Sequence, residues 1–230
     1  MYYKYETHMH TSEGSLCSNS TAAEMTRKYK SEGYSGIFIT DHFFNGNTTV
    51  SEELPWKERV ERYCLGYEHA LETGKEIGID VFFGVEYGNG RADFLTYGID
   101  KEWLIAHPEV MDLSIEDYII LVRSAGGMVI QAHPFREAGY IDHFTLVPSV
   151  DGVEIVNASH RDPKYNERAK WYAESFGLPP TAGSDSHNTT DRFFRGGVAL
   201  SHKISSPADY IAAVKNREIS LFLPDDRADL

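Results

Sequence analysis

Five short fragments of this chain combine imidazole and carboxylate side chains in a pattern that suits metal ions. They are His8-Met9-His10, Thr40-Asp41-His42, Gly84-Val85-Glu86, Ala132-His133-Pro134 and Gly183-Ser184-Asp185-Ser186-His187. Residues i and i+2 of an extended strand point the same way, so His8 and His10 can present two nitrogens to one point. Imidazole suits Zn²⁺, Fe²⁺ and Mn²⁺, and a carboxylate can bridge two cations. The pattern therefore predicts a polynuclear metal site.

The chemistry expected of such a site is hydrolysis. Two cations about 3.5–4 Å apart lower the pKa of a bridging water and hold a phosphoryl group during in-line attack. Glu86 is the natural bridging carboxylate. Asp185 would share the metal held by His8 and His10, and His133 would complete the neighbouring metal. A metal-bridging hydroxide needs no side-chain nucleophile, so hydrolysis of a small phosphate ester, either a monoester or a diester, is the leading hypothesis.

The elements that must position these residues alternate between strands and helices. A capping box at Thr21-Ala22-Ala23-Glu24 starts a helix that Gly33 stops. We expect strands at Met1–Thr7, Ser35–Thr40, Val81–Val85, Phe94–Tyr97, Met128–Ala132, Gly152–Val156, Pro180–Ala182 and Val198–Ser201. Further helices are expected at Leu54–Ile77, from Ser114 to about Gly126, at Lys164–Phe176 and at Pro207–Lys215.

Alternation of this kind predicts βα units around a parallel sheet. Each metal-binding fragment follows one of the predicted strands, and the chemistry of (β/α) barrels lies at the carboxyl ends of the strands. The chain has 230 residues, which fits one such barrel of roughly 200–250 residues. We therefore expect one barrel domain over residues 1–230.

Composition limits the partners and the compartment. No segment approaches the ~20 apolar residues of a membrane span, and the first residues lack a signal-peptide pattern. Two cysteines, Cys17 and Cys64, give no disulfide framework, so we expect a cytoplasmic protein without a membrane partner. Acidic residues outnumber basic ones 35 to 22, for a net charge of −13. This balance argues against a long duplex nucleic acid and for a small phosphorylated substrate, while the oligomeric state is left open.

As an ordered set, the five fragments resemble the motifs of the PHP (polymerase and histidinol phosphatase) superfamily, and the resemblance covers essentially the whole chain. It implies a distorted (β/α)7 barrel of the TIM type with two to three divalent metals, Zn, Mn or Fe, at the carboxyl ends of the strands. Activities in that family include histidinol-phosphate phosphatase, phosphoesterases acting on nucleotides and short oligonucleotides, and polymerase-associated exonuclease.

The resemblance also implies how the ligands are divided. One metal would be held by His8, His10, Glu86 and Asp185, a second by Glu86 and His133, and a third by His42 and His187. Family members often carry two further histidines that are missing here. At the corresponding segments Glu13 and Asp93 are the candidate replacements. Both changes should shift metal preference from zinc towards manganese or iron, or leave a site partly filled.

Other residues near the predicted strand ends are candidates for substrate contact. Arg136, three residues beyond His133, could clamp a phosphate. His160 could protonate a leaving group or touch the substrate, and Arg161 faces the same rim. Asp41 is expected to orient His42 or nearby backbone rather than to bind metal. Weaker candidates for the rim or pocket mouth are Arg192, Arg195, Phe43, Phe44, Phe193 and Phe194.

Two alternatives to phosphate-ester hydrolysis stay open. Related metal barrels also cleave amides and esters, so a non-phosphate bond is possible as the substrate. The chain could instead be a degenerate regulatory module that retains the metals without efficient turnover. Cys17 follows the first motif closely enough to approach the site, although a free cysteine is more commonly a small filler of the interior.

Overall fold

A computed structural model describes residues 2–90, 92–139, 141, 143–191 and 195–223. In these ranges the strands are β1 (Tyr3–Glu6), β2 (Gly36–Ile39), β3 (Asp80–Asn89), β4 (Ala92–Tyr97), β5 (Met128–Ala132), β6 (Gly152–Asn157), β7 (Pro180–Gly183), β8 (Gly197–Leu200) and β9 (Ser220–Phe222). The α-helices are α1 (Ala22–Ser31), α2 (Trp56–Tyr63), α3 (Leu65–Ile77), α4 (Lys101–Ala106), α5 (Ile115–Ser124), α6 (Pro163–Phe176) and α7 (Pro207–Lys215).

The strands form one sheet that curls into a nearly closed barrel. Strands β1, β2 and β3 pair in parallel, as do β5, β6 and β7, whereas β4 is antiparallel to both of its neighbours. A parallel bridge between Met9 and Ser186 joins the chain beyond β1 to the chain beyond β7. Two bonds accompany it: Asp185 N–H donates to the His8 carbonyl at 2.7 Å, and His10 N–H to the Ser186 carbonyl at 2.9 Å. This is the expected distorted seven-stranded barrel, with β8 and β9 added outside β1.

Successive side chains point to opposite faces of each strand, so the apolar core is divided into a cluster inside the barrel and a cluster outside it. In β2, Phe38 packs with Tyr5 and Phe82 in one cluster, while its neighbours Ile37 and Ile39 pack against α1 and α3 in another. The inner cluster also contains Tyr210 and Val214 of α7, so this helix covers the inner apolar set. The barrel therefore has a solid aromatic interior, which leaves polar chemistry to its rim.

Local signals account for most of the helices. Thr21 caps α1 with the predicted capping box, and Gly78 ends α3 in the left-handed conformation at φ 73°. The single helix expected over Leu54–Ile77 is divided at Cys64 into α2 and α3. Helix α4 and strand β9 were not predicted, because six and three residues are too short to show a period. Within the described ranges, no helix combines the length and the apolar character needed to cross a membrane.

Gly183, the last residue of β7, marks where the closing strands approach most closely. A Cβ at this position would collide with the Cβ of His8 and lie 2.8 Å from Glu154 Oε1. We expect Gly183→Ala to lower the free energy of unfolding by about 1–3 kcal/mol through overpacking, as measured by urea denaturation. Gly139→Ala is the matched control, since a Cβ there meets open space. Equal stability of the two variants would contradict the close packing of Gly183 against His8 and Glu154.

Candidate metal centre

Strand ends bring the predicted ligands to one rim of the barrel. Beyond β1 the chain stays extended, so Met9 packs outward against α1 while His8 and His10 turn inward. Strand β3 runs four residues past its predicted end because it forms a hairpin with β4. Glu86 therefore lies inside a strand, opposite Leu95, rather than at a strand end.

The buried carboxylate of Glu86 is the centre of the cluster. Its Oε1 lies 3.1 Å from His8 Nε2 and 3.1 Å from His133 Nε2. Its Oε2 lies 2.6 Å from His42 Nδ1 and 3.4 Å from His10 Nε2. Each oxygen thus faces two imidazoles, which is the arrangement that a carboxylate bridging two cations requires.

Asp185, in the chain beyond β7, approaches three of these imidazoles. Its Oδ1 lies 3.2 Å from His10 Nε2 and 3.5 Å from His8 Nε2, and its Oδ2 lies 3.9 Å from His133 Nε2. The backbone of Asp185 has φ 54° and that of His133 has φ 25°. Left-handed conformations cost non-glycine residues about 1–3 kcal/mol and gather at functional sites. The fold therefore accepts strain at two of the candidate ligands.

Among the residues that the structure describes, the donor atoms form three groups in which all of the atoms lie within 4.8 Å of one another. These groups are His8, His10 and Asp185; His8, Glu86 and His133; and His10, His42 and His187. Imidazole nitrogens and carboxylate oxygens at this spacing fit the donor set of Zn²⁺, Mn²⁺ or Fe²⁺. The residues present thus fit the divalent metals that the motifs led us to expect.

A second carboxylate, Glu154 of β6, contacts the ring nitrogen of His8 that does not face Glu86. Glu154 Oε1 lies 2.9 Å from His8 Nδ1, while its Oε2 accepts hydrogen bonds from the backbone N–H of His133 and from Asn157 Nδ2, both at 3.0 Å. A carboxylate on the far nitrogen fixes the ring orientation and makes the other nitrogen a better ligand. Sequence reasoning missed Glu154, although a lone carboxylate inside the apolar run Gly152–Val156 was a signal for it.

Asp41 has the orienting role expected from the sequence. Its carboxylate accepts hydrogen bonds from the Thr11 backbone N–H and hydroxyl, both at 2.6 Å, and from the Ser15 hydroxyl at 2.8 Å. Ser15 Oγ in turn lies 3.1 Å from His10 Nδ1 and accepts the His42 backbone N–H at 3.0 Å. Asp41 therefore orders the loop that positions two histidines.

The electrostatics of the cluster follow from burial and crowding. Burial works against a charge on His8, but the carboxylates of Glu154, Asp185 and Glu86 raise its pKa well above the usual value. Burial likewise opposes ionisation of Glu86, yet His42 and His8 hold its pKa well below the usual range. The Glu86 carboxylate is therefore ionised at neutral pH, and metal binding at His8 must displace a proton from its imidazole.

A cleft of about 1030 Å³ opens beside the cluster. Its lining includes Arg136, Ser159, His160, Arg161, Asp185 and His187. Arg136 Nη2 lies 3.5 Å from Asp93 Oδ2, and its Nη1 lies 3.9 Å from Asp185 Oδ2. The guanidinium is thus held between two carboxylates at the edge of the cluster, where a bound anion could reach it.

The tautomer of His160 is fixed by its neighbours. Asn166 Oδ1 accepts the Asn157 backbone N–H at 3.1 Å, and Asn166 Nδ2 donates to the Asn157 carbonyl at 3.3 Å, which settles the orientation of the amide. Because His160 Nδ1 lies 2.8 Å from this Oδ1, Nδ1 must be the donor and Nε2 carries a lone pair. Burial and the charge of His133 lower the pKa of His160 to about 4. A neutral His160 suits hydrogen-bond acceptance better than the acid role expected from the sequence.

Comparison with known proteins places this geometry in context. A family described as PHP-associated matches residues 163–191, which contain α6, β7 and the Gly183–His187 motif. Among solved structures, a two-domain protein from Bacteroides vulgatus containing a predicted PHP-like metal-dependent phosphoesterase superposes with a TM-score of 0.72 at 15% identity. The superposition covers 97% of this chain and 65% of that one, so this chain spans less than two thirds of the length of its relative. The family model thus matches one segment of the chain, and the superposition shows a shared fold.

Two further solved structures share the fold of this chain. An amidohydrolase from Chromobacterium violaceum, with bound sulfate and no metal, superposes with a TM-score of 0.58 at 16% identity over 97% of this chain and 99% of that one. PsfC from Pseudomonas syringae gives a TM-score of 0.64 at 18% identity over 98% and 93%. No curated protein matches the chain in sequence. At identities of 15–18% the likeness establishes the fold.

The two residues expected to replace family histidines differ in position. Glu13 is turned away from the cluster: its Oε2 accepts the Ala22 backbone N–H at 2.9 Å, and its Oε1 lies 3.1 Å from His69 Nδ1. The expectation that Glu13 completes the third metal site is therefore corrected, because Glu13 instead joins the first turn of α1 to α3. Asp93 does lie beside the second subsite, where it is partly buried near Glu86 and His133 and pairs with Arg136.

The remaining candidates from the sequence differ in the residues that surround them. Burial would raise the pKa of the Cys17 thiol, but the influence of His187 and His42 lowers it to about 6. Arg195 pairs instead with Glu32 at 3.2 Å. Phe43 is buried against Tyr63 and Tyr87 in the core. Arg192, Phe193 and Phe194 lie outside the described residues.

Glu154→Gln tests the support that the carboxylate gives to His8. The amide keeps the shape but removes the charge, so we expect divalent-metal affinity to fall by about 10–100-fold. Titration calorimetry with Zn²⁺ and Mn²⁺ measures the change. Glu174→Gln, on the exposed face of α6, is the matched control and should bind like the wild type. An unchanged affinity of Glu154→Gln would contradict this role.

Proposed function

We propose that this chain catalyses the divalent-metal-dependent hydrolysis of a small phosphate ester. The observation that carries the proposal is the Glu86 carboxylate, shared between two sets of imidazoles next to a cleft that contains Arg136. Similar structures are described as a PHP-like metal-dependent phosphoesterase and an amidohydrolase, and both descriptions agree with hydrolysis.

The residues have distinct tasks in this proposal. Bound divalent cations would supply an activated water and would neutralise negative charge on the phosphoryl group. Glu86 and Asp185 stay ionised because the surrounding imidazoles hold the pKa of each carboxyl well below its usual range against the effect of burial. Glu154 orients the ring of His8 and holds the backbone of His133, so these ligands are organised before substrate arrives.

Substrate contacts come from the side of the cleft. Arg136 can form two parallel hydrogen bonds to phosphate oxygens, with Asp185 and Asp93 holding its guanidinium in place. Nε2 of His160 can accept a hydrogen bond from a water or hydroxyl in the cleft. Arg161 adds positive charge further out, but Glu137, Asp162 and Asp191 also line the cleft. This acidic lining and the net charge of −13 favour a small substrate over a long polyanion.

Phosphate release from a panel of monoesters and diesters tests the proposal. With protein loaded separately with Mn²⁺, Zn²⁺ or Fe²⁺, we expect metal-dependent turnover that ranks the substrate classes. His8→Ala and Asp185→Asn should abolish it, because each removes a ligand from the centre. Lack of phosphate release with any metal, from protein shown to be folded and metallated, would contradict the proposal and favour amide hydrolysis or a non-catalytic metal-binding module.

Arg136→Ala separates phosphate chemistry from amide or ester chemistry. Losing a charge-assisted bond to phosphate costs roughly 1.5–3 kcal/mol, so we expect kcat/KM on phosphate esters to fall roughly 10–100-fold with metal content unchanged. Arg123→Ala, on the exposed side of α5 where Arg123 pairs with Asp151, is the matched control. Full activity of the Arg136→Ala variant would contradict a role for Arg136 in phosphate binding.

A further inference from the structure

We propose that Tyr29 of α1 is a positioning residue for the metal centre, because its hydroxyl joins the side chains of Ser184 and Ser186 on either side of Asp185. The inference rests on the proposed metal-dependent function, since Asp185 is one of the candidate ligands. It also assigns a role to the two serines of the Gly183–His187 motif, which are not metal ligands in the proposed function.

Asp185 has an unusual backbone conformation at the point where its carboxylate faces the histidines. Its φ of 54° lies in the left-handed region, which non-glycine residues keep only where the surrounding structure holds them there. The Asp185 N–H donates to the His8 carbonyl at 2.7 Å, and the Ser159 hydroxyl donates to the Asp185 carbonyl at 3.2 Å. These two bonds act on Asp185 itself, and the residues beside it are held by further bonds.

Tyr29 connects the two residues that flank Asp185. Its hydroxyl lies 2.7 Å from Ser184 Oγ and 2.5 Å from Ser186 Oγ. All three of these side chains are fully buried, so the bonds are shielded from bulk water and are stronger for it. The hydroxyl therefore ties the chain before Asp185 to the chain after it, which restricts rotation of the backbone between them.

The ring of Tyr29 is itself held by the apolar core. It belongs to one cluster with Met25, Ile37 and Ile39, and the ring of Tyr34 packs edge-on against it with the centroids 4.9 Å apart. Side chains in a closely packed core keep defined conformations, so the hydroxyl is a fixed point. Through Tyr29, the packing of α1 thus supports the backbone conformation of a candidate ligand.

Tyr34 offers a matched comparison for this role. It is buried in the same cluster, and its hydroxyl donates to the Gly196 carbonyl at 2.7 Å. Its bond reaches the chain just before β8, whereas the bonds of Tyr29 reach the residues beside Asp185. Loss of either hydroxyl should lower the stability of the fold, but only loss of the Tyr29 hydroxyl should affect metal binding.

Removal of one hydroxyl tests the proposal. Without it, the backbone of Asp185 can relax in the metal-free protein, and binding must then restore the ligand geometry. In Tyr29→Phe we expect the affinity for Zn²⁺ and Mn²⁺ to fall roughly 2–10-fold, the equivalent of one hydrogen bond, as measured by titration calorimetry. Tyr34→Phe is the matched control and should bind metal like the wild type, while urea denaturation should show both variants to be less stable.

A double-mutant cycle tests whether Tyr29 acts through the serines. Ser186→Ala removes one partner of the hydroxyl. Combined with Tyr29→Phe, it should weaken metal binding by less than the product of the two single effects, because both changes break the same bond. Effects that multiply in full would contradict this link.

The possible outcomes separate the two proposals. Equal metal affinities of the wild type and a folded Tyr29→Phe, or equal losses in Tyr29→Phe and Tyr34→Phe, would overturn the positioning role and leave the proposed function intact. The expected loss in Tyr29→Phe without phosphate release from any ester would contradict the proposed function alone. Wild-type protein that binds neither Zn²⁺ nor Mn²⁺ would overturn both.

Discussion

The structure depends on one buried anion, the carboxylate of Glu86. An isolated charge inside a barrel is very unfavourable unless opposite charge surrounds it. Four imidazoles provide that surrounding, two at each oxygen. The backbone of Glu86 is also fixed, since its N–H donates to the Asp41 carbonyl at 3.0 Å and its carbonyl accepts the Phe43 N–H at 2.8 Å. The backbone of Glu86 is therefore already in place for its side chain to present both oxygens to cations.

Further buried carboxylates extend this order outward from Glu86. Glu6 Oε1 accepts the backbone N–H of Thr7, His8 and Ser184 at 2.8–2.9 Å, which ties the chain beyond β1 to the chain beyond β7. Glu154 links His8 to the backbone of His133. Much of the acidity of the sequence in this region thus serves to join strand ends rather than to coat the surface. Barrel closure and ligand placement are two results of the same set of bonds.

The sequence was most informative where a simple geometric rule applied. Histidine and carboxylate residues that followed predicted strands, such as His133 and Asp185, do gather at one rim, because parallel strands end at the same side of a barrel. The strand positions could be predicted from short apolar runs, and the distortion of the barrel came from the family resemblance. The antiparallel β4 that produces it depends on the hairpin with β3, which extends that strand beyond its apolar run.

Predictions failed where a loop or a distant partner decides the outcome. Glu13 belongs to the loop after β1, and only the folded path of that loop shows that its carboxylate turns to α1. The state of His160 depends on Asn166 in α6, whose amide is oriented by the backbone of Asn157 in β6, nine residues earlier. No spacing in the sequence contains this information.

The most direct test of the account is an anomalous diffraction map of crystals grown with zinc or manganese, recorded at the absorption edge of the metal. If Glu86 bridges two metals, we expect two peaks about 3.5–4 Å apart, one beside each carboxylate oxygen of Glu86. A single peak that Glu86 does not touch, or ions held only by residues outside this cluster, would contradict the central claim that Glu86 bridges two metals.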